Sequence, residues 1–127
     1  MAKYGNRKTT VNGIRFDSLH EAERYSQLLL LLRAGKISDL ELQKEYELIP
    51  AQWEDVPTGG VYTRGARKGE PRTRKVCLEK AVKYVADFVY TENGNTVVED
   101  AKGVRTKEYT IKRKLMLYIH KIRISEV

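Results

Sequence analysis

Two β-rich runs, VKYVADFVY at 82–90 and TVVEDA at 96–101, joined by the segment TENGN, constrain the fold more than anything else in the chain. β-Branched and aromatic residues fill both because they pack well on a pleated surface. Asn93-Gly94 between them is a dipeptide that accepts positive φ at both central positions of a tight turn. The pattern predicts a hairpin central to a sheet. It also places two carboxylates, Asp87 and Asp100, where an apolar strand tolerates them only if something cationic compensates.

The remaining elements fall on either side of this hairpin. Residues 9–16 predict a shorter hairpin around Asn12-Gly13, and Ser18 with Glu21 three residues on makes a capping box. Ala22, Tyr25, Leu29 and Leu32 then repeat at helical spacing up to Gly35, which ends the helix. A strand is expected over 41–48, where Leu42, Tyr46 and Leu48 alternate with charged neighbours. Residues 50–75 hold all three prolines and four glycines, and predict a long basic loop or extended hairpin. Thr106 can cap a second helix with Ile111, Leu115 and Tyr118 as its apolar face, and a last strand at 122–127 suits an edge or penultimate position. The order gives an α/β domain with a mixed sheet, the last helix being the crossover of a β-α-β unit.

A length of 127 residues suits one domain with one core. The longest apolar run, 28–32, is far short of a membrane span, and the polar N-terminus has no signal-like stretch, so a soluble protein of the cytoplasm is expected. A single cysteine, Cys77, excludes an intramolecular disulfide, and no Cys/His group has zinc spacing. The net charge of +7 is unevenly spread: residues 1–63 carry 8 basic and 9 acidic side chains, and 64–127 carry 16 and 8. Such asymmetry points to a polyanionic partner, although a merely solubilising basic surface has the same composition.

Asp100 and Lys102, two residues apart on a strand, face one side about 6–7 Å apart. Pairing the two strands brings Asp87 near Asp100. Two carboxylates and an ammonium at one end of a sheet suit metal-assisted phosphodiester hydrolysis, with hard oxygens for Mg²⁺ or Mn²⁺ and a lysine that orients water or offsets charge. Glu21 is the natural fourth member. Blander readings exist for each: Asp87 could pair with Lys83 or Lys102, and Glu21 could serve the helix cap alone. Glu99 should face away from Asp100 and be structural, as should His20, His120, Tyr84 and Tyr90. If a metal alone offset the burial of Asp87, Asp87→Ala could even raise the stability of the metal-free protein.

The combination resembles the PD-(D/E)XK nuclease superfamily, whose α-β-β-β-α-β core carries a Glu on the first helix, an Asp on one strand and (D/E)-x-K on the next. FDSLHEAERY, YVADFVY, VVEDAKG and TKEYTIKRKL stand in those places. The resemblance implies a restriction-endonuclease-like core, here with an N-terminal hairpin and a long basic loop. It implies Glu21, Asp87 and Asp100 as Mg²⁺ ligands, with Mn²⁺ as a substitute, and Lys102 as the catalytic lysine. Two departures are Asp in place of the commoner Glu before x-K, and Ala86 where the eponymous proline would stand. More narrowly, FDSLHEAERY, ISDLELQ and VVEDAKGVRT resemble a small family of phage-encoded proteins described as endonucleases or Holliday-junction resolvases. That likeness spans nearly all of the chain outside 50–75. The expectation is a homodimeric endodeoxyribonuclease of phage recombination or replication acting on branched DNA in the host cytoplasm, since two strands must be cut at a junction. DNA would be held by Arg64, Arg67, Lys68, Arg72, Arg74 and Lys75, and by Arg105, Lys107 and Lys112. The alternatives are a nuclease of another preference, such as nicking or end-processing, and a non-catalytic nucleic-acid-binding protein.

Overall fold

The computed structural model describes residues 8–101 and 104–127. The chain packs as two compact units, one drawn from residues 1–48 and 83–127 and the other from residues 49–82.

In the first unit, β1 (Thr9–Val11) and β2 (Ile14–Phe16) form the short antiparallel hairpin, with Asn12 at φ 50° and Gly13 at φ 78°. Positive φ at both central positions matches the right-handed twist of the strands, which is what Asn-Gly is suited to. Helix α1 (Leu19–Arg33) follows; Ser18 caps it by accepting from the Glu21 backbone N–H at 3.1 Å, and Gly35 leaves it at φ 73°. Its inner face buries Ala22, Tyr25 and Leu28. Tyr25 lies between Phe16, at 5.0 Å, and Phe88, at 6.3 Å and nearly parallel. This aromatic stack, with Ile37, Tyr90 and Ala101, is the core on the α1 side.

Strand β3 (Ser38–Ile49) is longer than the alternation alone predicts. The second unit takes the hairpin form of the two expected for the basic segment. Strands β4 (Gln52–Val61) and β5 (Pro71–Glu79) pair antiparallel, with Trp53 opposite Cys77, Asp55 opposite Lys75 and Val61 opposite Pro71. Only Val56, Tyr62 and Val76 are partly covered from 52 to 80. A two-stranded ribbon this exposed is marginally stable by itself.

Strands β6 (Val82–Glu92) and β7 (Asn95–Asp100) form the predicted central hairpin about Asn93 (φ 52°) and Gly94 (φ 79°). Helix α2 (Lys107–Leu115), capped by the Thr106 hydroxyl, then carries the chain to β8 (Ser125–Glu126), which lies parallel to β7. The sheet order is β3-β6-β7-β8, so the fold is mixed α/β with a mixed sheet. The apolar face of α2 differs from expectation. Tyr109 and Met116 are buried, whereas Ile111 and Tyr118 are 59% and 76% exposed. Both pairs are seven residues apart, and two positions along a helix is a rotation of about 200°, so the sequence carries two candidate faces on opposite sides. Beyond α2 a π-helical turn, Met116–His120, ends at left-handed Lys121 (φ 59°). Among the described residues no helix is long and apolar enough to cross a membrane.

Candidate active site

The β6–β7 ladder ends at Phe88 opposite Glu99, one residue from Asp87 on β6 and one from Asp100 on β7. Asp87 is half-buried; its Oδ2 accepts from the Ala101 backbone N–H at 2.8 Å, fixing the carboxylate at the end of β7. Its Oδ1 lies 3.4 Å from Gln43 Nε2, and the same nitrogen is 3.2 Å from Glu21 Oε1. Glu21 and Asp87, from a helix and a strand 66 residues apart in sequence, thus meet on one amide group. Their oxygens are no farther apart than those two distances combined. Ser18 takes the Glu21 backbone N–H, while the Glu21 carboxylate turns towards β3.

Asp100 is fully buried, and its Oδ2 accepts from the Tyr84 hydroxyl at 2.5 Å. Burial, then the bond to Asp100, raises the Tyr84 phenol well above its ordinary range, so the hydroxyl keeps its proton and donates it. Lys102 lies outside the described residues. Of the cations that might have paired with Asp87, Lys83 is engaged by Glu45 at 3.4 Å.

Glu99 is structural, as expected. Arg24 grips it with two bonds, Nε to Oε1 at 2.8 Å and Nη2 to Oε2 at 2.6 Å, and the Tyr90 hydroxyl donates to the same carboxylate. Burial, reinforced by that bond, pushes the Tyr90 phenol up to about 12. His20 and His120 are held by backbone carbonyls, those of Val127 at 2.7 Å and Glu47 at 2.6 Å. Sequence reasoning missed two residues of the site, Gln43 and Tyr84. Gln43 left no signal in the sequence, because a polar side chain next to the inward-packing Leu42 is ordinary for a strand with one wet face.

The nine basic residues expected to hold DNA fall in two places. Arg64, Arg67 and Lys68 lie in the tip that joins β4 to β5, and Arg72, Arg74 and Lys75 lie on β5, all exposed. At the tip Arg67 sits over the Tyr62 ring, 4.5 Å from its centre, with Arg72 at 5.6 Å, and Arg67 also pairs with Glu70. Near α2, Arg105 is paired with Glu126 and Lys112 with Glu108, while Lys107 is exposed.

Among the described residues, no three of His, Cys, Asp and Glu are grouped so that they could hold a metal ion by themselves. Asp87→Asn separates charge from scaffold, because Asn keeps an oxygen for the Ala101 N–H. Its melting temperature should stay near wild type in the metal-free state. Asp87→Ala, by contrast, strands that N–H and should lose roughly 1–2 kcal/mol, against the gain expected if a metal were its sole compensation. Thermal melts in EDTA check both.

The fold and these residues define a mixed α/β protein in which carboxylates from α1 and β6 meet on one amide of β3. The chain belongs to DUF1064, a family of proteins of unknown function, whose model matches residues 1–125. No curated protein and no solved structure matches it.

Proposed function

We propose that the protein is a metal-dependent endodeoxyribonuclease built on a PD-(D/E)XK core, acting on branched DNA as a homodimer in phage recombination or replication. The observation that carries this reading is the convergence of Glu21 and Asp87 on one amide, with Asp100 next to the Ala101 N–H that anchors Asp87. Carboxylates that approach one another repel unless a donor or positive charge lies between them; the Gln43 amide supplies two N–H groups there, and a divalent cation would supply the charge.

The donor set fits a hard divalent cation. All the converging side chains offer oxygen, and Mg²⁺ is ordinarily held by one or two carboxylates, its other ligands being water and substrate phosphate. Glu21 and Asp87 would hold it, with Asp100 at the adjoining strand end. When bound, the cation would polarise the scissile phosphate and make attacking water more acidic. The protein's own part is positional. Ala101 fixes Asp87, Tyr84 fixes Asp100, and the Arg24–Glu99 pair ties α1 to β7 one helical turn from Glu21 and one residue from Asp100. Lys102, two residues beyond Asp100, is the group assigned to orient water or offset developing charge.

The β4–β5 ribbon is assigned to the DNA. A two-stranded ribbon fits the major groove of B-form DNA, and its tip and β5 carry six of the basic residues. Replacing Arg72, Arg74 and Lys75 together should flatten the slope of log affinity against log salt by up to about 3 units, each phosphate contact contributing roughly 0.9. Fluorescence anisotropy between 50 and 200 mM salt measures this, as about those limits bracket the steep region. The triple variant should still cut at saturating DNA.

A cleavage panel tests the reading as a whole: four-way junction, flap, duplex and single-stranded DNA, each with Mg²⁺, Mn²⁺ or EDTA. Metal-dependent cutting of the junction above the other substrates is expected. Cutting of another substrate would keep the chemistry and move the substrate to nicking or end-processing. DNA binding without cleavage in either metal would overturn the nuclease in favour of a binding protein.

A further inference from the structure

Gln43 sits inside β3 with φ 53°, in the left-handed region. Among the described residues four other non-glycine residues do so. Asn12 and Asn93 are turn residues of a type that tolerates this conformation, Lys121 ends a helical segment, and Asp39 lies at the start of β3. A glutamine in a strand interior has no such excuse, since its long side chain gains no local backbone bond there. Strain of this kind persists only where the surroundings impose it.

The packing of β3 changes across this position. Leu40 and Leu42 pack against the α1 core, whereas Tyr46 meets the His120 ring edge-on at 5.7 Å. A strand that must change partners can use a left-handed residue at the change, but glycine or asparagine would serve with less strain. What glutamine adds is an amide that reaches the two carboxylates at 3.2 and 3.4 Å. Its N–H groups hold the carboxylates together. Rotating the amide by half a turn exchanges nitrogen and oxygen without moving the side chain, and brings a carbonyl oxygen to the same place.

We infer that Gln43 is a positioning residue and neutral ligand of the cation site: its amide donates to Glu21 and Asp87 when the site is empty of metal and presents Oε1 to the cation when it is filled. This rests on the reading of the centre as metal-dependent. The role also accounts for the strained backbone, because the amide carried at this left-handed position reaches both carboxylates.

The test is calorimetric titration of the whole protein with Mn²⁺, alongside thermal melts in EDTA, for wild type, Gln43→Gly and Gln43→Glu. Glycine keeps the left-handed backbone without strain, which offsets part of the two hydrogen bonds lost with the amide, so Gln43→Gly should melt close to wild type yet bind Mn²⁺ about 10- to 100-fold more weakly. Gln43→Glu keeps the reach and adds charge, so it should bind Mn²⁺ at least as tightly as wild type while melting lower in EDTA, three carboxylates then being crowded together. Equal Mn²⁺ affinity in wild type and Gln43→Gly would overturn the role of Gln43 and leave the metal centre standing. Absence of Mn²⁺ binding to the wild type would overturn both.

Discussion

Asp100→Asn is expected to lose metal-dependent cleavage entirely while folding and binding DNA as wild type does. Asp100 is fully buried and accepts the Tyr84 proton at 2.5 Å; the amide oxygen of asparagine can accept the same proton in the same volume. The phenol, held protonated by burial and by that bond, has no reason to move. What disappears is one negative charge at the strand end where Asp87 is anchored, and the proposed cation would depend on that charge. Asp100→Ala would be a poorer probe, since it strands the Tyr84 hydroxyl at a cost of about 1–3 kcal/mol and confuses lost chemistry with lost stability. Lys102→Ala should also lose cleavage but retain Mn²⁺ binding, since an ammonium is no ligand. The basic ribbon is untouched in both, so anisotropy with labelled junction DNA should give the wild-type affinity. Full Mg²⁺-dependent activity in Asp100→Asn would remove Asp100 from the centre.

The parts of this molecule that were legible in its sequence are those where local chemistry and long-range packing agree. Asn12-Gly13 and Asn93-Gly94 specify turns because few other dipeptides relax into positive φ twice, and both turns form. Ser18 caps α1 for a reason local to four residues. Asp87 and Asp100 stood out because a carboxylate in an apolar run is costly, and the same cost lies behind their anchors, Ala101 and Tyr84. The illegible parts depend on distant partners. Gln43 lies between Leu42 and Lys44 in a strand with one wet face, where any polar residue is unremarkable; its use is defined by Glu21 and Asp87, both more than 20 residues away. Tyr84 read as sheet packing, and so it is, but its hydroxyl has a partner that a β-propensity argument does not see. The apolar face of α2 was ambiguous in principle, for two seven-spaced pairs compete and only the sheet chooses Tyr109 and Met116. The β4–β5 ribbon shows little alternation because both of its faces are wet, and the hydrophobic pattern that normally reveals a strand has nothing to report.

Arg24→Met is expected to destabilise the protein more than any substitution in the proposed catalytic set. Glu99 is 1% exposed, and Arg24 satisfies both its oxygens through a planar fork that lysine could not copy. Removing one member of a buried pair leaves the other charge without compensation, at about 3–5 kcal/mol. The lower end applies here because the Tyr90 hydroxyl continues to donate to Glu99. A second substitution tells charge from packing. In Arg24→Met with Glu99→Gln, the amide oxygen accepts from Tyr90 and no charge is buried, so most of the loss should be recovered even though the ion pair is gone. Urea melts of wild type, single and double variants measure the difference, with the slope of stability against urea unchanged if the folded state keeps its compactness. Equal stability of the single and double variants would mean that the fork acts by packing alone. The pair bears on function as well, because Arg24 is one turn from Glu21 and Glu99 is bonded in the chain to Asp100. Below its melting temperature the double variant should be folded, yet with α1 released from β7 it should bind Mn²⁺ more weakly than wild type. A double variant that is restored in stability and unchanged in Mn²⁺ affinity would show that the α1–β7 tie serves the fold and that the position of Glu21 is set by β3 instead.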